Sequence, residues 1–487
     1  MHWIRNTVLR QFSTVSRSTS FNYVTDKDIN YFERVLGNAG VKTSDLDIYN
    51  TDWRRKFKGN SSLVLLPSNA QEVSSILQHC WSRNLAVVPQ GGNTGLVGGS
   101  VPVFDEIVVS LSRLVSQMEF NPVTGNVRCS AGIVLQVLDD FVKQRGFSVP
   151  LDIGAKGSCQ IGGNIATNAG GVKLFRYGSL RENCIGVEAV TADGQILNLN
   201  RNVRKDNTGY NLKSLFVGSE GTLGVITGAT IKCHAIPKSS SLAMLAIKDY
   251  SRVLKAFTQV KIALEGSLSA VEYMDYTTMN LIVDQCNLLK PFSQDYSFYL
   301  LLETAHYEEE ASSQQIENIL TELLTSETIA DAIIASSESQ SDSFWQLRHS
   351  AGEACKKAAY SLMKFDISIP TDQFSNIIRD FSKQFNGHYD RLATWGHLGD
   401  GNIHINVVCS EKNVCEIPSL QEDFSNFLYK YATSLDGSFS AEHGIGLEKK
   451  KYLPLMYSDY VLNYIISIKK TFDAKGILNP YKSITLF

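Results

Sequence analysis

The sequence of 487 residues lacks several features that would assign it to a class at once. No apolar run approaches the roughly 18 residues that a membrane-spanning helix needs. The 46 lysines and arginines are matched by 49 acidic residues, so no basic surplus indicates a nucleic-acid binder. The nine cysteines are odd in number and form no C-x-x-C pair, which predicts neither a disulfide framework nor a thiolate zinc site. These absences favour a globular protein of a reducing compartment, long enough for two or three packed units.

Two familiar nucleotide-binding motifs are also missing. No G-x-G-x-x-G follows a predicted strand, and no G-K-[ST] ends a phosphate loop, so the sequence disfavours NAD and ATP sites. The 35 glycines are instead concentrated in three clusters. These are PQGGNTGLVGGS at 89–100, PLDIGAKGSCQIGGNIATNAGG at 150–171 and VGSEGTLGVIT at 217–227.

Glycine weakens strands and helices through its conformational entropy, so such density needs a physical reason. One reason is close approach of the backbone to a ligand, with successive N–H groups forming a nest for an anion. The simpler alternative is three glycine-rich turns between strands, and a single cluster would favour that alternative. Three clusters together predict a site for a phosphate-bearing cofactor.

The order of apolar runs predicts an α+β protein with more than one domain. Short strands alternate with glycine-rich turns up to about residue 237, which defines a first domain over 26–237 with a helical lead-in. Strands then mix with longer helices over 238–450, which defines a second domain. The segment 451–487 predicts a terminal helix that ends before Gly476 and packs back on the first domain.

The first 25 residues differ in composition from the rest. They contain Arg5, Arg10 and Arg17, many serines and threonines, and no acidic residue. Arginine and hydroxyl residues without acids are typical of a mitochondrial transit peptide, which we expect over 1–25. An unstructured basic terminus without an address is the alternative.

Three of the nine histidines lie in TWGHLGDGNIHINVV and FSAEHGIG, and the second segment also contains Glu442. The alternation in NIHINVV places His404 and Asn406 on one face of a strand that follows His397. Together with Glu442 and His443 on the second loop, they form a set of imidazoles and a carboxylate that suits Zn²⁺, Mn²⁺ or Fe²⁺. A His-x6-His spacing is not a standard zinc signature, so ordinary loop histidines remain the alternative at this point.

The glycine clusters resemble the FAD-binding domain of the vanillyl-alcohol-oxidase type. From about residue 40 to 487 the chain resembles the D-2-hydroxyacid dehydrogenases of that superfamily, and most strongly the mitochondrial members that oxidise D-2-hydroxyglutarate. The resemblance implies FAD laid across two α+β subdomains, an α+β substrate (cap) domain with an antiparallel sheet, and a helical C-terminal segment. Because the first loop reads GGNTG, without the histidine that links flavin in some members, we expect FAD without a covalent bond.

The resemblance also assigns roles to individual residues. His397, His404 and Glu442 would ligate zinc or another divalent metal, and Arg348, Lys364, Asn406 and His443 would contact the substrate. His443 would act as the general base while hydride passes from C2 to flavin N5. The FAD contacts would be Gln90, Gly91, Gly92, Asn93, Thr94, Gly95, Leu151, Gly157, Ser158, Gly162, Asn164, Thr167, Gly221, Ile226 and Asn479.

The resemblance predicts oxidation of D-2-hydroxyglutarate to 2-oxoglutarate in the mitochondrial matrix, with electron-transfer flavoprotein as acceptor. One position departs from the family, because Gly352 stands where a threonine would hold the substrate, so distal substrate contacts are less defined than the reacting centre. D-lactate dehydrogenase on the same scaffold is the main alternative, although lactate has no need of a distal carboxylate clamp at Arg348 and Lys364. A zinc hydrolase with structural FAD and a flavin-binding subunit without catalysis are further alternatives.

Overall fold

The computed structural model describes residues 16–308, 312–410 and 419–486, without the side chains of residues 312 and 313. The chain divides into two compact units. Within the described residues, the first unit comprises residues 16–170, 178–235 and 442–486, and the second comprises residues 171–177 and 236–441. Each unit is treated by itself below.

The strands of the described residues are short in the first unit and longer in the second. They are β1 (Val41–Lys42), β2 (Val64–Leu65), β3 (Val87–Gln90), β4 (Ile107–Ser110), β5 (Met118–Asn121), β6 (Asn126–Ser130), β7 (Phe147–Ser148), β8 (Cys184–Val190), β9 (Ile196–Asn198), β10 (Val225–Lys232), β11 (His234–Ala235), β12 (Ser239–Ile247), β13 (Leu268–Asp275), β14 (Phe298–His306), β15 (Asp331–Ile334), β16 (Ser361–Ser368), β17 (Arg391–His397) and β18 (Asn402–Cys409). Strands β1–β11 belong to the first unit and β12–β18 to the second.

The α-helices of the described residues alternate with these strands. They are α1 (Asp26–Leu36), α2 (Asp47–Asn50), α3 (Ala70–Arg83), α4 (Leu135–Lys143), α5 (Ile161–Thr167), α6 (Leu174–Tyr177), α7 (Leu180–Asn183), α8 (Lys213–Phe216), α9 (Tyr250–Leu264), α10 (Tyr276–Cys286), α11 (Ser312–Thr325), α12 (Glu338–Ala358), α13 (Phe374–Gln384), α14 (Leu420–Ser434), α15 (Leu453–Met456) and α16 (Asp459–Phe472). None of these helices has the length and apolar character needed to cross a membrane.

Two main sheets build the first unit. A four-stranded sheet has the order β1-β2-β4-β3, with β2, β3 and β4 parallel, and a five-stranded antiparallel sheet has the order β5-β6-β10-β8-β9. Helix α3 shows how the sequence specifies such an element. The Asn69 side chain accepts a hydrogen bond from the Glu72 N–H at its start, and Asn84 ends it in the left-handed conformation. Its buried residues follow helical spacing and pack into the core of this unit: Val73, Ile76, Leu77 and Cys80.

A single antiparallel sheet of seven strands builds the second unit. Its order is β15-β12-β14-β13-β17-β18-β16. Met274, Trp395 and Cys355 belong to a buried cluster that joins strands β13 and β17 to helix α12. Helix α12 therefore covers one face of the sheet, and that face carries most of the predicted chemistry of this unit.

The unit boundaries differ from the predicted domains at three places. Residues 171–177 join the second unit, where Arg176 Nη1 donates to the Ser267 carbonyl. The return to the first unit comes at Glu442 rather than at residue 451. Residues 1–15 of the predicted transit peptide lie outside the described residues. The rest of it belongs to the first unit, where Arg17 Nε donates to Asp105.

Among the described residues, seven cysteines form no disulfide, and six of these seven are buried. Cys409 takes part in a disulfide, which the sequence did not predict.

Candidate active site

A cavity of about 860 Å³ lies in the first unit where the three glycine clusters meet. Most of the predicted FAD contacts line it, namely Gln90, Gly91, Gly92, Asn93, Thr94, Gly95, Gly162, Asn164, Thr167, Gly221 and Ile226. His443 lines it as well.

The first two glycine clusters touch each other through their backbones. A Cβ atom on Gly92 would lie 2.1 Å from the Ser158 carbonyl oxygen, so only glycine permits this approach. Within the described residues, the N–H groups of residues 92–95 donate no hydrogen bond to the protein. Successive N–H groups without protein acceptors make a nest for a phosphate or pyrophosphate group.

Two side-chain oxygens that line the cavity could accept hydrogen bonds from a ligand. Gln160 Oε1 and Asn164 Oδ1 are buried and have no hydrogen-bond partner among the described residues. Because an unsatisfied buried acceptor costs about 1–3 kcal/mol, a ligand with N–H donors would relieve both. Opposite them, Gly163 has space where its Cβ would be, since no atom lies within 4 Å of that position. The cavity thus fits a flat polar ring together with a phosphate group, as FAD requires.

Several predicted contacts use their side chains to hold the loop itself. Asn93, at a φ of 53°, donates from Nδ2 to the Ile48 and Thr51 carbonyls and accepts from the Ser100 hydroxyl. Thr167 donates from Oγ1 to the Gly163 carbonyl. These residues therefore present backbone groups to the cavity, while their side chains fix its shape.

Four predicted FAD contacts do not line this cavity. The Leu151 side chain is 5% exposed and packs in the hydrophobic core, whereas Gly157 and Ser158 are exposed. Asn479 Nδ2 donates to the carbonyls of Gly99 and Glu220, so its amide braces the cavity wall. For these four residues, contact with FAD stays a prediction.

The second unit presents a row of polar side chains on the sheet face beneath α12. In the antiparallel register, Glu272 lies opposite His397, His404 opposite Asp366, and Asn406 opposite Lys364. Paired residues in an antiparallel sheet share a face. As predicted, His404 and Asn406 share this face, while Ile403, Ile405 and Val407 are fully buried on the other.

Glu272 connects two of the predicted site residues. Its Oε1 accepts a hydrogen bond of 2.8 Å from His397 Nδ1, and its Oε2 accepts one of 2.7 Å from Arg348 Nε. All three side chains are more than nine-tenths buried. Burial works against ionisation of Glu272, but the charges of His397 and Arg348 outweigh it and lower its pKa to about 2. Arg348 and His397 are thus held in place by one carboxylate.

The His397 hydrogen bond fits a metal ligand. A ligating histidine commonly donates its other ring N–H to a carboxylate, which orients the ring. Because Nδ1 donates to Glu272, Nε2 is the nitrogen that would ligate. The rings of His397 and His404 are 6.1 Å apart between centroids, and Asp366 Oδ1 lies 3.8 Å from His404 Nδ1. Two imidazoles with carboxylates behind them suit a borderline divalent cation such as zinc.

Two further predicted substrate residues, Asn406 and Lys364, lie on the same face. Asn406 is 2% exposed, and its Nδ2 has no hydrogen-bond partner among the described residues. Lys364 is half-buried directly opposite it on β16. An amide donor without a protein acceptor and an ammonium side by side can bind a carboxylate. The structure therefore brings together Arg348, Lys364, Asn406, His397 and His404, while Glu442 and His443 belong to the first unit.

Sequence reasoning missed the carboxylates that support this face. Glu272 and Asp366 are 1% and 0% exposed, and the Asn402 side chain donates to Asp366 and to the Ile367 carbonyl. A signal for Glu272 existed, because it is an acid in the middle of the mainly apolar strand LSAVEYMD. Charged residues are almost never fully buried unless they are paired.

Two family models match the chain. The model described as an FAD binding domain matches residues 61–200, and the model described as FAD linked oxidases, C-terminal domain, matches residues 236–483. The chain belongs to the FAD-linked oxidases. This FAD-linked oxidase is an oxidoreductase, and the prediction of FAD as its cofactor is confirmed.

Its relatives include several hydroxy-acid dehydrogenases. The mitochondrial D-2-hydroxyglutarate dehydrogenase of Arabidopsis thaliana is 43% identical over 473 residues, which are 96% of this chain and 84% of that protein. A candidate mitochondrial D-lactate dehydrogenase of Schizosaccharomyces pombe is 37% identical, and the match covers 97% of this chain and 93% of that protein. The D-2-hydroxyglutarate–pyruvate transhydrogenase of Saccharomyces cerevisiae is 35% identical and covers 99% of both chains.

Solved structures confirm the predicted fold. p-Cresol methylhydroxylase with substrate bound superposes with a TM-score of 0.72 at 13% identity, over 95% of this chain and 98% of that chain. At this identity the likeness concerns the fold alone. The α+β architecture of the vanillyl-alcohol-oxidase type is therefore the fold of this FAD-linked oxidase.

Proposed function

We propose that this FAD-linked oxidase oxidises D-2-hydroxyglutarate to 2-oxoglutarate. The observation that carries the proposal is the sheet face of the second unit, where Arg348, Lys364 and Asn406 accompany the His397 and His404 imidazoles. Two cations and an amide donor suit a substrate with two carboxylates, since each carboxylate needs a charged or hydrogen-bonding partner. The D-2-hydroxyglutarate dehydrogenases among the relatives support the same substrate.

In this proposal the protein orients the substrate and accepts the proton of its hydroxyl group. Bound FAD supplies the acceptor for the hydride that leaves C2. His443, which lines the cavity of the first unit, accepts the hydroxyl proton, so a carbonyl forms as the O–H and C–H bonds break. Arg348 and Lys364 hold the carboxylates and thereby fix the orientation of C2.

We further propose a divalent metal held by His397 and His404. The hydrogen bond from His397 Nδ1 to Glu272 supports this role. When bound, the metal supplies a Lewis acid that lowers the pKa of the substrate hydroxyl. The resemblance adds Glu442 as a third ligand, and that part rests on the sequence.

D-lactate is the second candidate substrate. The name of the S. pombe relative supports it, and so does Arg348, because its Nε is occupied by Glu272. A guanidinium whose Nε is engaged offers only its Nη groups to a distal carboxylate. Lys364, a second cation on the sheet face that carries Asn406, favours the dicarboxylate.

The acceptor of the electrons has two candidates. The resemblance favours electron-transfer flavoprotein, whereas the name of the S. cerevisiae relative gives pyruvate as acceptor for that protein. We propose electron-transfer flavoprotein, because the relatives named mitochondrial extend beyond yeast to plants and animals.

We also propose a mitochondrial location, in the matrix, which the names of the relatives support. Any processing site would then lie before residue 17. Arg17 is bonded to Asp105, the Ser18 N–H donates to the Tyr481 hydroxyl, and Phe21 is 3% exposed. Cleavage after residue 25 would remove these contacts from the first unit.

The test is anaerobic mixing of the FAD-loaded protein with D-2-hydroxyglutarate, L-2-hydroxyglutarate and D-lactate while flavin absorbance is followed. We expect rapid bleaching by D-2-hydroxyglutarate alone, lost with a chelator and restored by zinc. Faster bleaching by D-lactate would move the enzyme to the second candidate. Bleaching that a chelator leaves unchanged would remove the metal, and no bleaching would contradict the proposed substrate class.

A further inference from the structure

Glu220 occupies an unusual position in the wall of the flavin cavity. It lies in the third glycine cluster with a φ of 51°, which is strained for a residue with a side chain. Its N–H donates to the Ala166 carbonyl at 2.7 Å, and its side chain lines the cavity. A strained, half-buried carboxylate that is held by its own backbone has a defined orientation.

The carboxylate of Glu220 is bonded to the loop that carries His443. Its Oε1 accepts the Ile445 N–H at 2.7 Å, and its Oε2 accepts the Gly446 N–H at 2.8 Å. Gly444 and Gly446 have φ values of 82° and 51°, so this loop turns its consecutive N–H groups towards the carboxylate. This is the geometry of an anion nest, filled here by a side chain of the protein itself.

The C-terminal segment completes the arrangement around Glu220. The Ser483 hydroxyl donates to Glu220 Oε2, and the Ser483 N–H donates to the Gly446 carbonyl at 2.8 Å. Asn479 Nδ2 donates to the Glu220 carbonyl at 2.7 Å. Asn479 and Ser483 also have positive φ values, of 47° and 41°. Strained residues of this kind persist only where the surrounding structure holds them, and they cluster at functional sites.

We infer that Glu220 is a positioning residue that fixes His443 in the flavin cavity. The inference rests on the proposed role of His443 in the oxidation of a D-2-hydroxy acid. His443 immediately precedes the loop that Glu220 binds, so the two hydrogen bonds from the Ile445 and Gly446 N–H groups fix the backbone that carries its imidazole. The loop also lies close against the carboxylate, since a Cβ atom on Gly444 would lie 2.8 Å from Glu220 Oε1. Misplacement of a catalytic group by about 1 Å can cost about 10²-fold in rate.

The anchor itself can be tested without turnover. In Glu220→Gln, one N–H of the loop would face the amide NH₂ instead of an acceptor, and the bond would be lost. We expect hydrogen–deuterium exchange in residues 442–447 of the FAD-loaded protein to accelerate at least about tenfold. Asp139→Asn is the matched control, because Asp139 also accepts a backbone N–H, from Val149, but does not line the cavity. Unchanged exchange in Glu220→Gln would overturn the inference.

A double-mutant cycle tests the connection to His443. We expect Glu220→Gln to slow anaerobic flavin reduction about 10²-fold with flavin content unchanged, and to have little further effect when His443→Ala is already present. Equal losses in both backgrounds would mean that Glu220 acts on the flavin or the fold, and would overturn the inference. If the wild-type protein is not reduced by any D-2-hydroxy acid, the proposed function fails, while the exchange measurement still decides whether Glu220 anchors the loop.

Discussion

The two units of this FAD-linked oxidase build their sites from different materials. In the first unit the cavity is formed mainly by backbone, since glycine loops approach each other and leave N–H groups and two amide oxygens towards the ligand. In the second unit the site is a sheet face of charged side chains, in which Glu272 and Asp366 are buried with their partners.

The difference follows from what each ligand requires. A pyrophosphate and a flat ring are bound well by many N–H groups in a fixed shape, which glycine allows. The metal and the small dicarboxylate that we propose for the second unit would need charges at defined points, and buried charges must be paired to be tolerated. We therefore expect the first unit to be sensitive to added volume and the second to the loss of single charges.

The largest effect is expected from Glu272→Ala in the second unit. The change removes the acceptor for Arg348 and His397 and leaves a buried guanidinium without its partner. Breaking a buried ion pair from one side costs about 3–5 kcal/mol. The free energy of unfolding from urea titration, at fixed FAD concentration, measures it. Glu265→Ala, at an exposed residue of the same unit, is the control, and equal stability of the two variants would contradict the central role of Glu272.

Gly92→Ala tests the first unit by volume alone. The added Cβ would lie 2.1 Å from the Ser158 carbonyl, so the two glycine loops would have to move apart. We expect a destabilisation of about 1–3 kcal/mol together with loss of bound FAD, measured by flavin absorbance per protein after gel filtration. Gly154→Ala, where no atom lies within 4 Å of the new Cβ, should keep its flavin. Full flavin content in Gly92→Ala would show that close approach of these loops is dispensable.

The sequence predicted the first site better than the second for a physical reason. A glycine cluster within a short segment indicates close approach of the backbone to a ligand. Residues 90–95 could therefore be predicted to line the cavity. The alternation around His404 likewise predicted which side chains share a face, and the register confirms it. Both signals are local.

The partners of the charged residues could not be read in this way. Glu272 lies 125 positions from His397 and 76 from Arg348, and no local pattern connects them. Asn479 shows the same limit in the first unit, because its amide reaches Gly99 and Glu220 across hundreds of residues. Such pairs become visible only when the fold brings distant segments together.

Lys482 is a buried charge in the unit otherwise dominated by backbone. It is 0% exposed, and its ammonium donates to Asn479 Oδ1 at 2.7 Å. Burial lowers its pKa to about 8, although the charges of Glu106 and Glu220 oppose the shift. Since an unfolded lysine has a pKa of about 10.4, the unfolded chain binds more protons between these values, and stability rises with pH across this window.

Lys482→Met should remove that rise. We expect the wild-type protein to gain stability relative to the variant as the pH increases from 8 to about 10, measured by urea unfolding at fixed FAD concentration. Lys470→Met, at an exposed lysine of the same unit, should follow the wild-type curve. Parallel curves for wild type and Lys482→Met would mean that Lys482 titrates as an ordinary lysine.

The smallest effect is expected from Gly352→Thr, which introduces in the second unit the threonine that the resemblance predicts at this position. Gly352 lies within α12, one turn from Arg348, and the nearest atom to an added Cβ is Trp395 Cζ2 at 4.0 Å. The Cβ of a threonine therefore meets no close atom, and its hydroxyl would add one donor near the proposed carboxylate clamp. One hydrogen bond contributes about 0.5–1.5 kcal/mol, so we expect the KM for D-2-hydroxyglutarate to fall roughly two- to tenfold with kcat unchanged. Gly352→Ala, which adds the Cβ without the hydroxyl, is the control. An equal gain for D-lactate would show that the hydroxyl acts on the reacting end, and the distal clamp would then have to lie with Lys364.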